Sequence, residues 1–145
     1  METMSGILFV DDERENVQIA AEVLMEALDE PVAFVETVEL AVERLLERPW
    51  RALVMDLFIP LGDHPRRILG PRSRRYQDQV EHLGGLVLLE EVERLPYRPL
   101  VISHTACTDH VLLELFRDRV VRRIPKPAPL DTLLHNLLEV LRDTN

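Results

Sequence analysis

Between Arg51 and Pro60 the chain reads RALVMDLFIP, a short apolar run holding one carboxylate, Asp56, near its end. Runs of this length, rich in Val, Ile and Leu, fit a strand buried on both faces of a parallel sheet. A charged aspartate is not tolerated inside such a strand without a partner. It fits at the strand's C-terminal end, where open α/β sheets place their ligands. Asp also favours turns and caps through its own hydrogen bonding, so the residue alone leaves a local role open. What decides between them is how many other polar residues reach the same edge.

Around this run the chain alternates short apolar stretches with helical periodicity. Gly6–Val10 (GILFV) reads as a strand ending at Asp11, Asp12 and Glu13. From Asn16 to Leu28, Val17, Ala20, Ala21, Leu24 and Leu28 recur at helical spacing. Asp29-Glu30-Pro31 breaks that helix before a second strand, Val32–Val35. Thr37 can cap the next helix, with Val38, Ala41, Val42 and Leu45 on one face and Arg48-Pro49 at its close. The third strand is Ala52–Asp56, and this rhythm with short connections predicts a parallel α/β sheet.

After Pro60 the rhythm lapses for 23 residues, LGDHPRRILGPRSRRYQDQVEHL. Connections of this kind usually run about 2–6 residues, and loops beyond about 12–15 tend to be functional or disordered. The stretch, about 61–83, holds five arginines against Asp63, Asp78 and Glu81, a net +2 (5 − 3), leaving −11 (−9 − 2) for the remainder. Ser73–Leu83 places Tyr76, Val80 and Leu83 on one helical face, with Ser73 as a cap. Beyond Gly84-Gly85 a helix is expected over Leu86–Arg94, a strand over Leu100–His104 and a helix over Asp109–Arg117. A fifth strand, Val120–Ile124, precedes a last helix after Pro129 with a leucine stripe from Leu130 to Leu141. Five strands and five helices fill the chain as a single domain, 1–145.

Composition narrows the class. The 145 residues, 46% hydrophobic and 30% charged, suit one ordinary globular domain. A net charge of −9 argues against nucleic-acid binding over the whole surface. The lone cysteine, Cys107, excludes an internal disulfide and fits a reducing compartment. The apolar start, Ile7–Val10, is too short for a signal sequence or membrane span, so a cytoplasmic location without membrane partners is expected. The five histidines show no zinc spacing, and structural or surface roles are expected of them. Among seventeen basic residues only Lys126 is a lysine.

In a parallel sheet the strand ends meet at one edge. Here that edge gathers Asp11 and Asp12, Asp56, Ser103 to Thr105, and Lys126 after the fifth strand. Three carboxylates, a hydroxyl and a lysine suit a magnesium-assisted phosphoryl site, because Mg²⁺ needs only one or two carboxylates plus water and phosphate oxygens. A compact ammonium makes a point contact to phosphate that arginine's planar fork makes differently. Each residue alone has a bland alternative: solvated strand-end acids, a loop hydroxyl, a surface lysine.

ILFVDDE at Ile7–Glu13, LVMDLFIP at Leu53–Pro60, Thr105-Ala106 after strand 4 and Lys126-Pro127 after strand 5 together resemble a response-regulator receiver domain of the single-domain chemotaxis type. The resemblance covers nearly the whole chain apart from the 61–83 stretch. It implies a flavodoxin-like (βα)5 fold with strand order 2-1-3-4-5. It implies that Asp56 accepts a phosphoryl group from a sensor histidine kinase or histidine phosphotransferase. Asp12 would be the direct Mg²⁺ ligand, with Asp11 acting directly or through water and the Phe58 carbonyl adding a further ligand. Thr105 and Lys126 would contact the phosphoryl group, and Lys126-Pro127 would be a cis peptide.

The sequence departs from the family in three places. Counted from Pro99, Thr105 comes one residue late, so Ser103 is a rival or a bulge is present. Arg123, three before Lys126, replaces an aromatic switch residue. Phe58 is apolar where the family is often polar, and is expected to shield the acyl phosphate from water. The resulting expectation is a stand-alone phosphorelay receiver that is no enzyme beyond its own phosphoryl transfer and loss, signalling to an output protein that the sequence does not identify. An alternative is a phosphorylation-independent adaptor acting through the Arg-rich 61–83 stretch. A third, a Mg²⁺-dependent hydrolase, lacks a second acid/base beside Asp56. The outer face of the last helix offers a surface for a homodimer or partner.

Overall fold

A computed structural model describes residues 3–77 and 83–143. Its elements are β1 (Ile7–Val10), α1 (Gln18–Leu28), β2 (Val32–Val35), α2 (Val38–Glu47), β3 (Ala52–Met55), α3 (Arg66–Leu69), α4 (Arg72–Gln77), α5 (Gly84–Glu93), β4 (Leu100–Thr105), α6 (His110–Phe116), β5 (Arg122–Pro125) and α7 (Leu130–Asp143). The five strands are parallel in the order β2-β1-β3-β4-β5, as the resemblance implies.

β1 and β3, both wholly apolar, lie inside the sheet and are buried along their whole length, whereas the equally apolar β2 lies at the edge and is mostly half-buried. Alternation of side chains then divides the core in two. Leu8, Val10, Leu53 and Met55 pack with α2 and α5, whereas Ile7, Phe9, Ala52 and Val54 pack with α1 and α7. The helix ends follow local chemistry. Thr37 Oγ1 accepts from the Leu40 N–H at 3.1 Å, a cap that stabilises α2 by about 1 kcal/mol. Asp109 caps α6 by accepting from Val111 and Leu112. Asp29 ends α1 with φ 52°, a left-handed conformation that Asp tolerates.

The late arrival of Thr105 has a simple resolution. The ladder runs without interruption from Ala52–Leu100 to Met55–Ser103, and from Ile102–Arg122 to Thr105–Pro125. No bulge is present in these pairs: β4 begins at Leu100, directly after Pro99, and runs regularly to Thr105, its last residue, one rung past His104.

The stretch after Pro60 leaves the sheet and returns to it. The Gly84 N–H donates to the Ile59 carbonyl and the Gly85 N–H to the Leu57 carbonyl, both at 3.0 Å, closing the excursion at its base. A Cβ on Gly84 would sit 2.1 Å from the Ile59 oxygen, and one on Gly85 would sit 2.6 Å from Leu57 Cα, so both glycines are needed for this approach. The described part of the stretch is docked. Leu69 is buried in the α2–α5 core, and Arg72 Nη1 meets the buried Glu91 carboxylate at 2.8 Å. The helix expected over Ser73–Leu83 begins at Arg72, and the Ser73 hydroxyl donates back to the Gly70 carbonyl. Leu83 does not extend it: the chain must re-enter at Gly84, and Leu83 is the residue preceding α5. Val80 and the rest of 78–82 lie outside the described residues, as does the Tyr76 side chain.

Candidate functional site

The C-terminal edge of the sheet brings the singled-out residues together in a defined order. Val10 pairs with Met55, so Asp11 and Asp56 follow side by side on adjacent strands. Their backbones stay tied to the sheet, with the Asp56 N–H donating to the Val10 carbonyl and the Asp11 N–H to the Val35 carbonyl, each at 3.1 Å. Lys126 follows β5, its N–H donates to the Thr105 carbonyl at 3.0 Å, and the Lys126-Pro127 peptide is cis, as the resemblance implies.

The Lys126 ammonium bridges two carboxylates, donating to Asp11 Oδ2 at 2.7 Å and to Asp56 Oδ2 at 3.0 Å. The second oxygen of each acid takes a backbone donor, Glu13 N–H for Asp11 at 2.9 Å and Phe58 N–H for Asp56 at 3.3 Å. Asp12 completes the cluster from an exposed position. One oxygen from each of Asp11, Asp12 and Asp56 lies within 4.8 Å of the others.

The electrostatics follow from crowding acids at a half-dry edge. Burial pushes the Asp11 carboxyl up from its ordinary value, against the lowering pull of Lys126. Asp12 is also raised, by desolvation and then by the neighbouring Asp56 charge. For Lys126, burial disfavours the ammonium, but the hydrogen bonds to Asp11 and Asp56 together outweigh it and raise the net value. Three carboxylates surround a single ammonium that contacts two of them, a net −2 (1 − 3) if all are ionised. A hard divalent cation with oxygen ligands fits this donor set, both in its chemistry and in its unbalanced charge.

The remaining candidates divide. Thr105 ends β4 at this edge, and its Oγ1 accepts from the Cys107 N–H at 3.3 Å. Ser103 sits two residues back in the strand, opposite Met55, and lines a cavity with Leu113 and Phe116 of α6, Val120, and Arg122 and Arg123 of β5. Phe58 stands two residues past Asp56 with its side chain 41% exposed. His104, expected at this edge only as part of the fourth strand, is a buried member of the neighbourhood. It occupies the β4 position level with Asp56, and its Nδ1 has no hydrogen-bond partner among the described residues. Desolvation, then the Lys126 charge, lower its pKa to about 4, so it is a neutral imidazole near neutral pH.

A larger cavity, about 740 Å³, opens at the opposite end of the sheet between Leu45, Leu46, Pro49, Pro96 and Tyr97. Its lining is mainly apolar and gathers no set of converging acids. No helix among the described residues is long and apolar enough to cross a membrane.

No protein-family model and no curated protein matches the sequence. Solved structures do match the fold. A CheY-like response regulator receiver domain protein from Methanospirillum hungatei JF-1 superposes with a TM-score of 0.70 at 17% identity, covering 97% of this chain and 96% of that one. The regulatory domain of the repressor of iron transport regulator, in its inactive form, gives 0.71 at 17% identity, with 96% of each chain covered. The BeF3-activated DrrB receiver domain gives 0.67 at 18% identity, covering 97% and 99%. With five parallel strands in the order 2-1-3-4-5 and an acidic cluster at their C-terminal edge, the chain has the flavodoxin-like fold of the response-regulator receiver domains.

Proposed function

We propose that the chain is a response-regulator receiver that takes a phosphoryl group onto Asp56 from the phosphohistidine of a sensor kinase or phosphotransferase. One observation carries the reading: Lys126 holds Asp11 and Asp56 on a single ammonium beside Asp12. In the step, a carboxylate oxygen of Asp56 forms the new bond to phosphorus as the phosphorus–nitrogen bond of the donor histidine breaks. Asp11, Asp12 and Asp56, with the Phe58 carbonyl, are the residues that would hold Mg²⁺. When bound, that ion offsets charge on the transferring group and its acceptor. Lys126 then exchanges its contact with the Asp56 carboxylate for one with the phosphoryl oxygens. Thr105, at the end of β4, would donate its hydroxyl to the same group. The output is a change of conformation read by a partner, with no turnover of other substrates.

The reading is tested by intact mass after incubation with acetyl phosphate and Mg²⁺. One phosphoryl adduct is expected on the wild type, dependent on Mg²⁺ and absent from Asp56→Asn. Well-folded wild type without an adduct would overturn it. Phe58, an exposed apolar residue two positions past Asp56, is proposed to shield the acyl phosphate from water. A several-fold shorter adduct half-life is therefore expected in Phe58→Asn, and an unchanged half-life would remove the shielding role.

A second reading is a receiver-like adaptor that signals without phosphorylation. It is favoured by Arg123, which stands exposed and opposite Ser103 where the family's switch has an aromatic. Unphosphorylated protein that already binds its partner at full strength would support it.

A further inference from the structure

The arginines of residues 61–77 set this segment apart from the rest of the chain. It carries five arginines against Asp63, a net +4 (5 − 1), whereas the remainder of the molecule is −13 (−9 − 4). Elsewhere six arginines, Arg44, Arg51, Arg94, Arg117, Arg119 and Arg122, each reach a glutamate. The side chains of Arg66, Arg67 and Arg74 are exposed and make no ion pair or hydrogen bond with a described residue.

These three side chains do not hang from a loose loop. Leu69 is 1% exposed in the α2–α5 core, with Ile68 packed against the same core. Arg72 donates from Nε to the Leu69 carbonyl at 3.2 Å while its Nη1 meets Glu91. At the entry, the His64 N–H donates to the buried Glu39 carboxylate at 2.8 Å. The segment is therefore a fixed platform that uses Arg72 for its own docking and presents Arg66, Arg67 and Arg74 outward. Its base closes on Ile59, three residues past Asp56.

We propose that this platform is a docking surface for an acidic segment of a partner protein. Arginine's planar fork matches carboxylates with two parallel hydrogen bonds, and it keeps its charge at any working pH. A nucleic acid or an anionic membrane would fit less well. Both present negative charge over an area larger than the patch and would lie against the −13 of the remaining surface. A short acidic element can meet the arginines alone. The inference names the partner chemistry for this segment and goes beyond the phosphoryl reading, since it holds whether or not Asp56 is modified.

The test uses a fluorescent eight-glutamate peptide and the unphosphorylated full chain, followed by anisotropy at low and physiological salt. Three proteins are compared: wild type, the triple variant Arg66→Ala/Arg67→Ala/Arg74→Ala, and the control Arg123→Ala/Arg142→Ala. The control removes two exposed arginines that also lack described partners. Saturable binding, weakened about tenfold in the triple variant by the loss of three rim contacts, and unchanged in the control, is expected. Absent binding, or an equal loss in the control, would overturn the proposal. So would tighter binding of a twenty-nucleotide single strand that depends on the same arginines. Salt-sensitive self-association abolished by the triple variant would also overturn it, by making a second copy of this chain the occupant. Because no arm involves phosphorylation, failure here leaves the mass test of Asp56 independent.

Discussion

The sheet has a partly buried charge network at each end, and the two are built on different principles. Where the strands begin, Arg51 donates to Glu30 Oε2 at 2.5 Å and to the Leu141 carbonyl, and Glu30 Oε1 accepts from the Gly6 N–H at 3.0 Å. Among the described residues one cation faces one carboxylate, and the backbone takes up further hydrogen bonds. Where the strands end, one ammonium faces three carboxylates. The first network is balanced and ties together the start of β1, the start of β3 and the last helix. The second carries excess negative charge in a half-dry setting, an arrangement that gains most when something positive arrives. Both look like salt bridges, yet only the unbalanced one has the electrostatics of a binding site.

The largest expected effect lies at the balanced end. Arg51→Met leaves Glu30, whose side chain is only 16% exposed, without its cation. Losing one partner of such a pair is expected to cost about 3 kcal/mol of unfolding free energy in urea titrations. A loss below about 1 kcal/mol would erase the distinction, since that is the range of exposed pairs.

A comparable effect, but confined to acid, is expected from His104 at the other end. Its folded pKa of about 4 lies below the ordinary 6.5, so the unfolded chain binds this proton more readily. The histidine's contribution is therefore fully present above about pH 6.5 and is lost as pH falls through about 4. Over that window the wild type is expected to lose about 3 kcal/mol more than His104→Leu. Asp11 works in the opposite sense. Its folded pKa is raised, so the stability linked to its proton is present at low pH and disappears as pH rises. A difference curve between wild type and His104→Leu isolates the histidine, and identical acid slopes would refute its assignment as a buried neutral imidazole.

The smallest expected effect has the opposite sign. Asp12→Asn removes one of the three crowded carboxylates, and a gain under about 1 kcal/mol is expected without Mg²⁺ because the site is exposed on that side. Added Mg²⁺, which should stabilise the wild type, is expected to stabilise this variant less. A clear loss of stability in metal-free buffer would mean that the acidic end is held together by Asp12 and is not a repulsive cluster.

Much of this was readable from the chain. The runs ILFV and ALVM are apolar without interruption because β1 and β3 are covered on both faces, and each ends at its aspartate. Once those strands are parallel, Asp11 and Asp56 must emerge together, so the acidic cluster needs no tertiary information beyond strand direction. Thr37 and Asp109 announce their helices by cap chemistry that is local. Other features depend on partners far away in sequence. β5 is shifted from the expected Val120–Ile124 to Arg122–Pro125, since Arg122 and Arg123 carry no apolar signal and are placed by the ladder to β4. The docking of Leu69 was hidden in a stretch rich in Arg, Gly and Pro, because its burial depends on the gap between α2 and α5. Thr105 could be placed against Ser103 only by counting rungs from Ala52.

The two short hydrogen-bonded closures at Ile59–Gly84 and Leu57–Gly85 make residues 61–83 a cassette. Its ends are held by the sheet edge and the start of α5, so the path between them matters to the rest of the fold only where it packs on α2 and α5. Loop-closure entropy grows slowly, by about 0.6 kcal/mol for each doubling of length. An evolutionary exchange of this cassette would thus be cheap in chain entropy, provided the newcomer covers the site of Leu69 and replaces the Arg72 contact to Glu91. Under those two conditions a chain of this fold can acquire a new recognition surface beside Asp56 while its acidic cluster stays as it is.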